Sequence, residues 1–356
     1  NIAVSGSNSS TLCPCGSAGA TACPVVPGPE FLYAHSITGQ ILAFSIDHNS
    51  GALTTIGSVP GPAMSYGLAA VNNQFLFASD RSQSQLDGFS INPITGALTA
   101  LQGSPFPTGA FTVPAGLASP TNGSFLYAAD IAAVDAFTVS SGGVPTAISG
   151  SPFPSGSSMF LTADPSGNFL FSVDDDPPGG VIAFAIGSTG ALTEVPNSPF
   201  TIPGQTVPDS MPYGIVNNGS YVYTTLSLAS QVAGFAIAGG TGALTPVPNS
   251  PFPAGTNPTA IVIANSFLYA LNSGSISGYR INSNSGLLTP IAGSPFAISG
   301  LSLAADSFGQ YLFVGGPASI QAFTIDAASG MLSPISGSPF AAAGASLLTV
   351  VQIPPP

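Results

Sequence analysis

Three acids recur in register along the chain. Asp80 follows the run FLFAS, Asp130 follows FLYAA, and Asp174 stands in FSVDDD together with Asp175 and Asp176. His35 and Arg81 fall at the same level of their own segments. Carboxylates gathered in this way could hold Ca²⁺, which takes several oxygen ligands, and His35 with Asp80 could act as a base and its orienter. The stretch DDDPPGG is the best single candidate for a metal loop, although it lacks the spacing of an EF-hand. The stronger reading of all these acids is turn chemistry, because Asp at a strand end accepts bonds from its own backbone. No serine near them stands in a G-x-S-x-G setting. His35, Asp80 and Arg81 are therefore the catalytic candidates, and Asp130, Asp174, Asp175 and Asp176 the metal candidates.

The cysteines lie apart from these residues. Cys13, Cys15 and Cys23 all fall in TLCPCGSAGATACP, near the start of the chain. Three allow at most one internal bridge and leave one thiol over. A zinc site would want a fourth ligand, and no His lies nearby, so disulfide chemistry is preferred to metal. The chain begins at Asn1, as expected of a processed, exported product. Sequons at Asn8, Asn122 and Asn218 would permit glycosylation in a host that performs it.

Charge is the most unusual feature of the composition. Of 356 residues only 4% are charged, and 14 acids against 2 bases give a net charge of -12. There is no Lys, and the two bases are Arg81 and Arg280. Nucleic-acid binding needs a basic footprint, and docking on anionic lipid needs clustered cations, so both are excluded. No run approaches the roughly 18 apolar residues of a membrane span. Hydrophobic content of 44% is ordinary and argues against disorder. The surface must then be Ser, Thr, Asn, Gln, Gly and Pro, a composition expected of an extracellular protein with little charge repulsion between copies.

The elements that position the candidate residues come from a repeat. Seven apolar runs open the units: FLYA at Phe31, FLFA at Phe75, FLYA at Phe125, FLFS at Phe169, YVYT at Tyr221, FLYA at Phe267 and YLFV at Tyr311, spaced 44 to 52 residues apart. That period suits a four-stranded propeller blade. Each opener is apolar throughout, as a strand covered on both faces should be. A second, alternating strand follows (LDGFSIN, VDAFTVS, ISGYRIN), then a turn such as NPITGALT, whose glycine supplies the left-handed residue of a hairpin. His48 falls in the first of these turns, where solvent exposure is expected, and Arg280 falls mid-strand in the sixth unit. Exits of the form GSPF or NSPF, from Pro105 to Pro339, should lead across to the next unit.

The ends predict how the ring closes. Phe31 has no inner strand before it, whereas Ser346 to Ile353, SLLTVVQI, is an inner strand with no opener after it. The C-terminal strand should complete the first blade and remove the open end of the array. The expected fold is all-β, a seven-bladed β-propeller over residues 31–356, preceded by an extended arm over residues 1–30.

The FLYA openers, the F-x-I-[DN] strand and the [ST]-G-x-L-[TS] hairpin resemble those of the seven-bladed propeller lactonases, the 6-phosphogluconolactonase-like proteins. The resemblance runs from about Phe31 to Ile353. It implies a lactone hydrolase with basic and acidic residues at one mouth of the ring. A phosphorylated sugar lactone would call for clustered cations, and Arg81 and Arg280 lie in distant units.

Two functional expectations follow. The leading one is a secreted structural propeller that self-associates into an extracellular filament or surface layer. In it, NIAVS of the arm, apolar at Ile2 and Val4, adds a strand to a blade edge of another copy. The alternative is a lactonase-like hydrolase, or a propeller that binds a glycan or small ligand at one mouth of the ring.

Overall fold

The computed structural model of the protein describes residues 27–108, 114–121, 123–174, 176, 179–204 and 211–355. These residues form seven antiparallel sheets with four-stranded paths, arranged as the blades of a propeller. The arm residues Ile2, Val4, Cys13, Cys15 and Cys23 lie outside the described residues, as does Asp175.

In blade two the path runs from the innermost strand Leu68–Val71 through Phe75–Asp80 and Gln85–Ile91 to the outermost Leu98–Ala100. Every residue of Phe75–Asp80 is buried, as a continuous apolar run sandwiched between two neighbouring blades requires. The third strand alternates: Leu86, Phe89 and Ile91 are buried, and Ser90 is partly exposed. Blade one is completed across the chain ends. Ala345–Gln352 pairs antiparallel with Glu30–Ser36, with Phe31 opposite Val351 and Tyr33 opposite Thr349. The Ile353 amide then donates to the Pro29 carbonyl at 2.9 Å. The predicted closure is thus the observed one.

The core is divided into seven layers, one between each pair of adjacent blades. Leu32 and Phe44 of blade one pack with Phe313 and Ile320 of blade seven. Phe77 of blade two packs with Leu126 and Phe137 of blade three. Burying each such side chain contributes about 1.5–3 kcal/mol. The hairpin glycines key these layers together: Gly96 of blade two, at φ +70°, lies against the ring of Phe31 in blade one. Buried tyrosines of the openers add a polar latch, since the Tyr33 hydroxyl donates to the Gly96 carbonyl at 2.9 Å and that of Tyr127 to Gly190 at 2.9 Å.

The SPF exits differ from expectation. Before crossing to the next blade they turn back onto their own. Phe106–Pro107 pairs with the third strand of blade two, beyond the end of the outermost strand. Corresponding segments do the same in blades three, four, five and seven. The outer edge is thus built from two pieces with a gap between them, and the serine fills it. Gly88 N donates to Ser104 Oγ at 2.9 Å, and Gly234 N donates to Ser250 Oγ at 2.9 Å. In each of the six SPF exits the Ser–Pro bond is cis. Blade one lacks an SPF exit and has one long outermost strand, Leu53–Pro60.

Candidate active site

At one mouth of the ring the opener strands end and the innermost strands begin. His35 lies near the end of Glu30–Ser36 and is 2% exposed. The facing strand carries a bulge between the partners of His35 and Ser36: Leu347 pairs with His35, Ala345 pairs with Ser36, and Ser346 is left between them. A bulge re-aims a side chain, and here the Ser346 hydroxyl comes to 3.0 Å from His35 Nδ1. The other ring nitrogen, Nε2, lies 2.9 Å from the Pro62 carbonyl oxygen. A carbonyl only accepts, so Nε2 carries the proton and Nδ1 presents its lone pair to Ser346. The Ser346 hydroxyl has a second acceptor in the His35 carbonyl at 3.1 Å. Burial pushes the His35 imidazole below its ordinary range, while the bond to Pro62 acts in the opposite direction. The neutral, base form is therefore favoured.

Both residues line a cavity of about 590 Å³. Its walls include Tyr66 from the connection between blades one and two, Phe160, Tyr213 and Ser302. Ile37, Met64, Leu301 and Leu303 make much of the remainder apolar, and among the described residues no Asp, Glu, Lys or Arg lines it. The rings of Phe160 and Tyr213 are 4.5 Å apart, tilted at 47°. Arg81 does not line the cavity; its guanidinium stands 4.9 Å from the centre of the Tyr66 ring. Burial raises the Tyr213 phenol, with Tyr66 adding to the shift and Arg81 opposing it. The Ser302 hydroxyl is buried without a hydrogen-bond partner. A Cβ on Gly315 would meet both Ser302 Oγ and Ala345 O at 2.5 Å, so Ser302 and the carbonyl preceding Ser346 flank the same glycine.

Asp80, Asp130 and Asp174 serve their own turns, and Asp176 ties its turn to the segment at Ser157. Asp80 Oδ1 accepts from Ser82 N at 2.9 Å, Ser82 Oγ at 2.7 Å and Gln83 N at 3.2 Å. The partner of His35 Nε2 is the Pro62 carbonyl and not Asp80, the partner expected from the sequence. Asp130 Oδ1 accepts from Ile131 N at 2.6 Å, Asp174 Oδ1 from Asp176 N at 3.2 Å, and Asp176 Oδ2 from Ser157 N at 3.1 Å. Among the described residues no three His, Cys, Asp or Glu side chains converge on a point that could hold a metal, Ca²⁺ included.

His48 is not the exposed turn residue expected. Its Nε2 lies 3.1 Å from the Gly28 carbonyl, its Nδ1 3.8 Å from Glu30, and its ring meets Phe308 edge-on, at the seam between blades one and seven. Arg280 is exposed, over the ring of Phe267, with a guanidinium hydrogen bond to the Ala328 carbonyl.

Sequence reasoning missed Ser346, Ser302, Tyr66, Phe160 and Tyr213 as a group. It also missed two acids on third strands, the half-buried Asp87 and the buried Asp135. Asp87 is pushed up to about 6 by burial and by the nearby charge of Asp80. Asp135 is pushed up to about 6 by burial and by Asp130. One signal for Ser346 was present: ring closure in antiparallel register sets the start of SLLTVVQI beside His35.

The family model described as Lactonase, 7-bladed beta-propeller, matches residues 214–348. The chain resembles the seven-bladed lactonases. Solved structures share the whole architecture. A candidate 6-phosphogluconolactonase from Bacteroides uniformis superposes with a TM-score of 0.76 at 18% identity, covering 92% of this chain and 100% of the other. One from Bacteroides fragilis gives 0.75 at 18% identity, over 91% and 98%. The periplasmic gluconolactonase of Pseudomonas aeruginosa gives 0.73 at 19% identity, over 92% and 100%. No curated protein sequence matches the chain significantly. At these identities the likeness to lactonase structures is one of fold.

Proposed function

We propose that this propeller hydrolyses a small, uncharged lactone or related ester at the mouth of the ring, with His35 as the general base. The carrying observation is the His35 Nδ1 lone pair, held by the Pro62 carbonyl and facing a hydroxyl on the wall of a largely apolar cavity. A base must sit within hydrogen-bond reach of the proton it takes, and be unprotonated at working pH. Burial of His35 favours the second condition. The lactonase family match and the gluconolactonase named among the similar structures support the reaction class. The described cavity wall holds no cation to pair with a phosphate. The periplasmic relative accords with export.

The test is acid release, followed by pH-stat, from δ-valerolactone, glucono-δ-lactone and 6-phosphoglucono-δ-lactone. The uncharged lactones should turn over in preference to the phosphorylated one. No turnover of any, or a preference for the phosphorylated compound, refutes the reading.

One observation favours a second reading, self-association as a secreted structural propeller. The outermost strand of blade one, Leu53–Pro60, is eight residues long and ends its sheet, whereas the other outermost strands have three residues. Such an edge can accept an added strand, for which the segment containing Ile2 and Val4 is the occupant. Native mass before and after removal of Asn1 to Val26 decides: a stable monomer at high concentration, or unchanged polymers after truncation, rules it out.

A further inference from the structure

We infer that Ser346 is the nucleophile of this site, so that hydrolysis passes through an acyl-enzyme on its Oγ; the inference rests on the ester-hydrolysis reading above. Both side chains line the cavity, Ser346 partly exposed and His35 buried. The hydroxyl is the more accessible of the two, as a nucleophile served by a neighbouring base should be. The three-part chain, Ser346 Oγ to His35 Nδ1 at 3.0 Å and His35 Nε2 to Pro62 O at 2.9 Å, has the triad logic of nucleophile, base and orienter. A backbone carbonyl takes the orienting place. Its dipole selects the tautomer and stabilises the imidazolium that forms.

The bulge is the second argument. Both strands of this pair are otherwise in regular register, and the single unpaired residue is Ser346. Bulges of this kind occur next to active sites, where they re-aim one side chain. Ser302 is the third. The residue is 5% exposed and lines the same cavity, and its hydroxyl is buried with no partner. A buried hydroxyl without a partner costs about 1–3 kcal/mol, a cost that is recovered when a ligand oxygen arrives. Its place beside the Gly315 Cα, across from the Ala345 carbonyl, assigns it to the substrate carbonyl oxygen.

The steps balance as follows. Ser346 Oγ attacks the lactone carbonyl carbon as its proton passes to His35 Nδ1. The ring C–O bond breaks, and the proton on Nδ1 goes to the departing alkoxide. The product is a hydroxyacyl ester of Ser346. Water then gives a proton to Nδ1 and attacks the ester carbonyl, and the returning proton restores the Ser346 hydroxyl as the hydroxy acid leaves. Ser302 donates to the carbonyl oxygen in both halves, and Tyr66, Phe160 and Tyr213 present the aromatic walls for the substrate ring.

The experiment treats the full chain with diisopropyl fluorophosphate and maps the mass increment, in parallel with δ-valerolactone kinetics for Ser346→Ala and Ser302→Ala. The increment should fall on Ser346 and be lost in His35→Asn. Turnover in Ser346→Ala should fall at least about 10³-fold in kcat with KM little changed, and in Ser302→Ala about 10²-fold. Lactone turnover that survives in Ser346→Ala would leave His35 activating water directly; hydrolysis would stand and the nucleophile assignment would fall. Should the wild-type chain hydrolyse no lactone, the function reading fails, and labelling still decides the serine: modification of Ser346 that needs His35 upholds an activated hydroxyl, and an unmodified Ser346 overturns it. Whether Ser346 is modified at all is read on the wild-type chain, and loss of labelling in His35→Asn counts only where that variant melts like the wild type.

Discussion

Tyr311 of blade seven lies against Gly51 of blade one, so closely that a Cβ on the glycine would come within 2.4 Å of the tyrosine Cδ1. The same opener-to-glycine contact recurs as Phe31 with Gly96, Phe125 with Gly190 and Phe267 with Gly330. It is one unit of the repeat used at successive interfaces, and at Gly51 it joins the two ends of the array.

Gly51→Ala should therefore destabilise the ring. The residue has φ +70°, which disfavours any side chain, and the added methyl overpacks against an aromatic ring that is itself held by the blade. Overpacking of this kind costs about 1–3 kcal/mol. Gly239→Ala, where nothing lies within 4 Å, is the control and should move stability by less than about 0.5 kcal/mol. Equal melting temperatures for the two variants would refute the interlock.

Closure by the C-terminal strand predicts a larger effect. Removal of residues 346–356 deletes most of Ala345–Gln352 and exposes Phe31, Leu32 and Tyr33, which are at most 2% exposed in the closed ring. The truncated chain should lose its cooperative melt. A truncated chain that melts like the full one would mean that the first blade does not need this strand.

Asp135 sets a pH dependence of stability. Its folded-state value of about 6 lies above that of an exposed carboxylate, so between about pH 4 and 6 the folded state holds the proton that the unfolded state releases. Stability attributable to this group should fall as pH rises through that window, by an amount on the order of 3 kcal/mol. Asp135→Asn should then match the wild type near pH 4 and exceed it in urea midpoint at pH 7.5. Asp87, displaced in the same direction to about 6, contributes with the same sign. A variant less stable than wild type at pH 7.5 would show that the carboxylate is held by a partner in its charged form.

His35 sets a pH dependence of a different quantity. Burial lowers its proton affinity, so the acid limb of lactone turnover should lie below the ordinary histidine value of 6.5, with a flat rate above it. An acid limb at or above that value would mean that His35 is not the base, or that the cavity is wetter than its walls indicate.

The architecture was legible because it is repetitive. A propeller blade needs a doubly covered strand, an alternating one and a left-handed glycine at each hairpin, and each requirement leaves a local mark: the continuous run at Phe75, the alternation through Phe89 and Ile91, the glycine at 96. The surplus strand beginning at Ser346 was equally visible, and with it the closure of the ring. The candidate base His35 and the turn role of Asp80 could also be read at this level. What surrounds His35 could not. Ser346, Pro62 and Ser302 are each ordinary in their own segments, and they meet because ring closure brings the last strand against the first and blade seven against both. Ser346 turns toward Nδ1 only through a bulge, a departure from register that leaves no pattern in the residues themselves. The raised values of Asp87 and Asp135 likewise depend on burial between blades, a property of the packed ring. Strand order follows from short-range preferences repeated seven times; a site assembled from residues some three hundred positions apart exists only once the ring has closed.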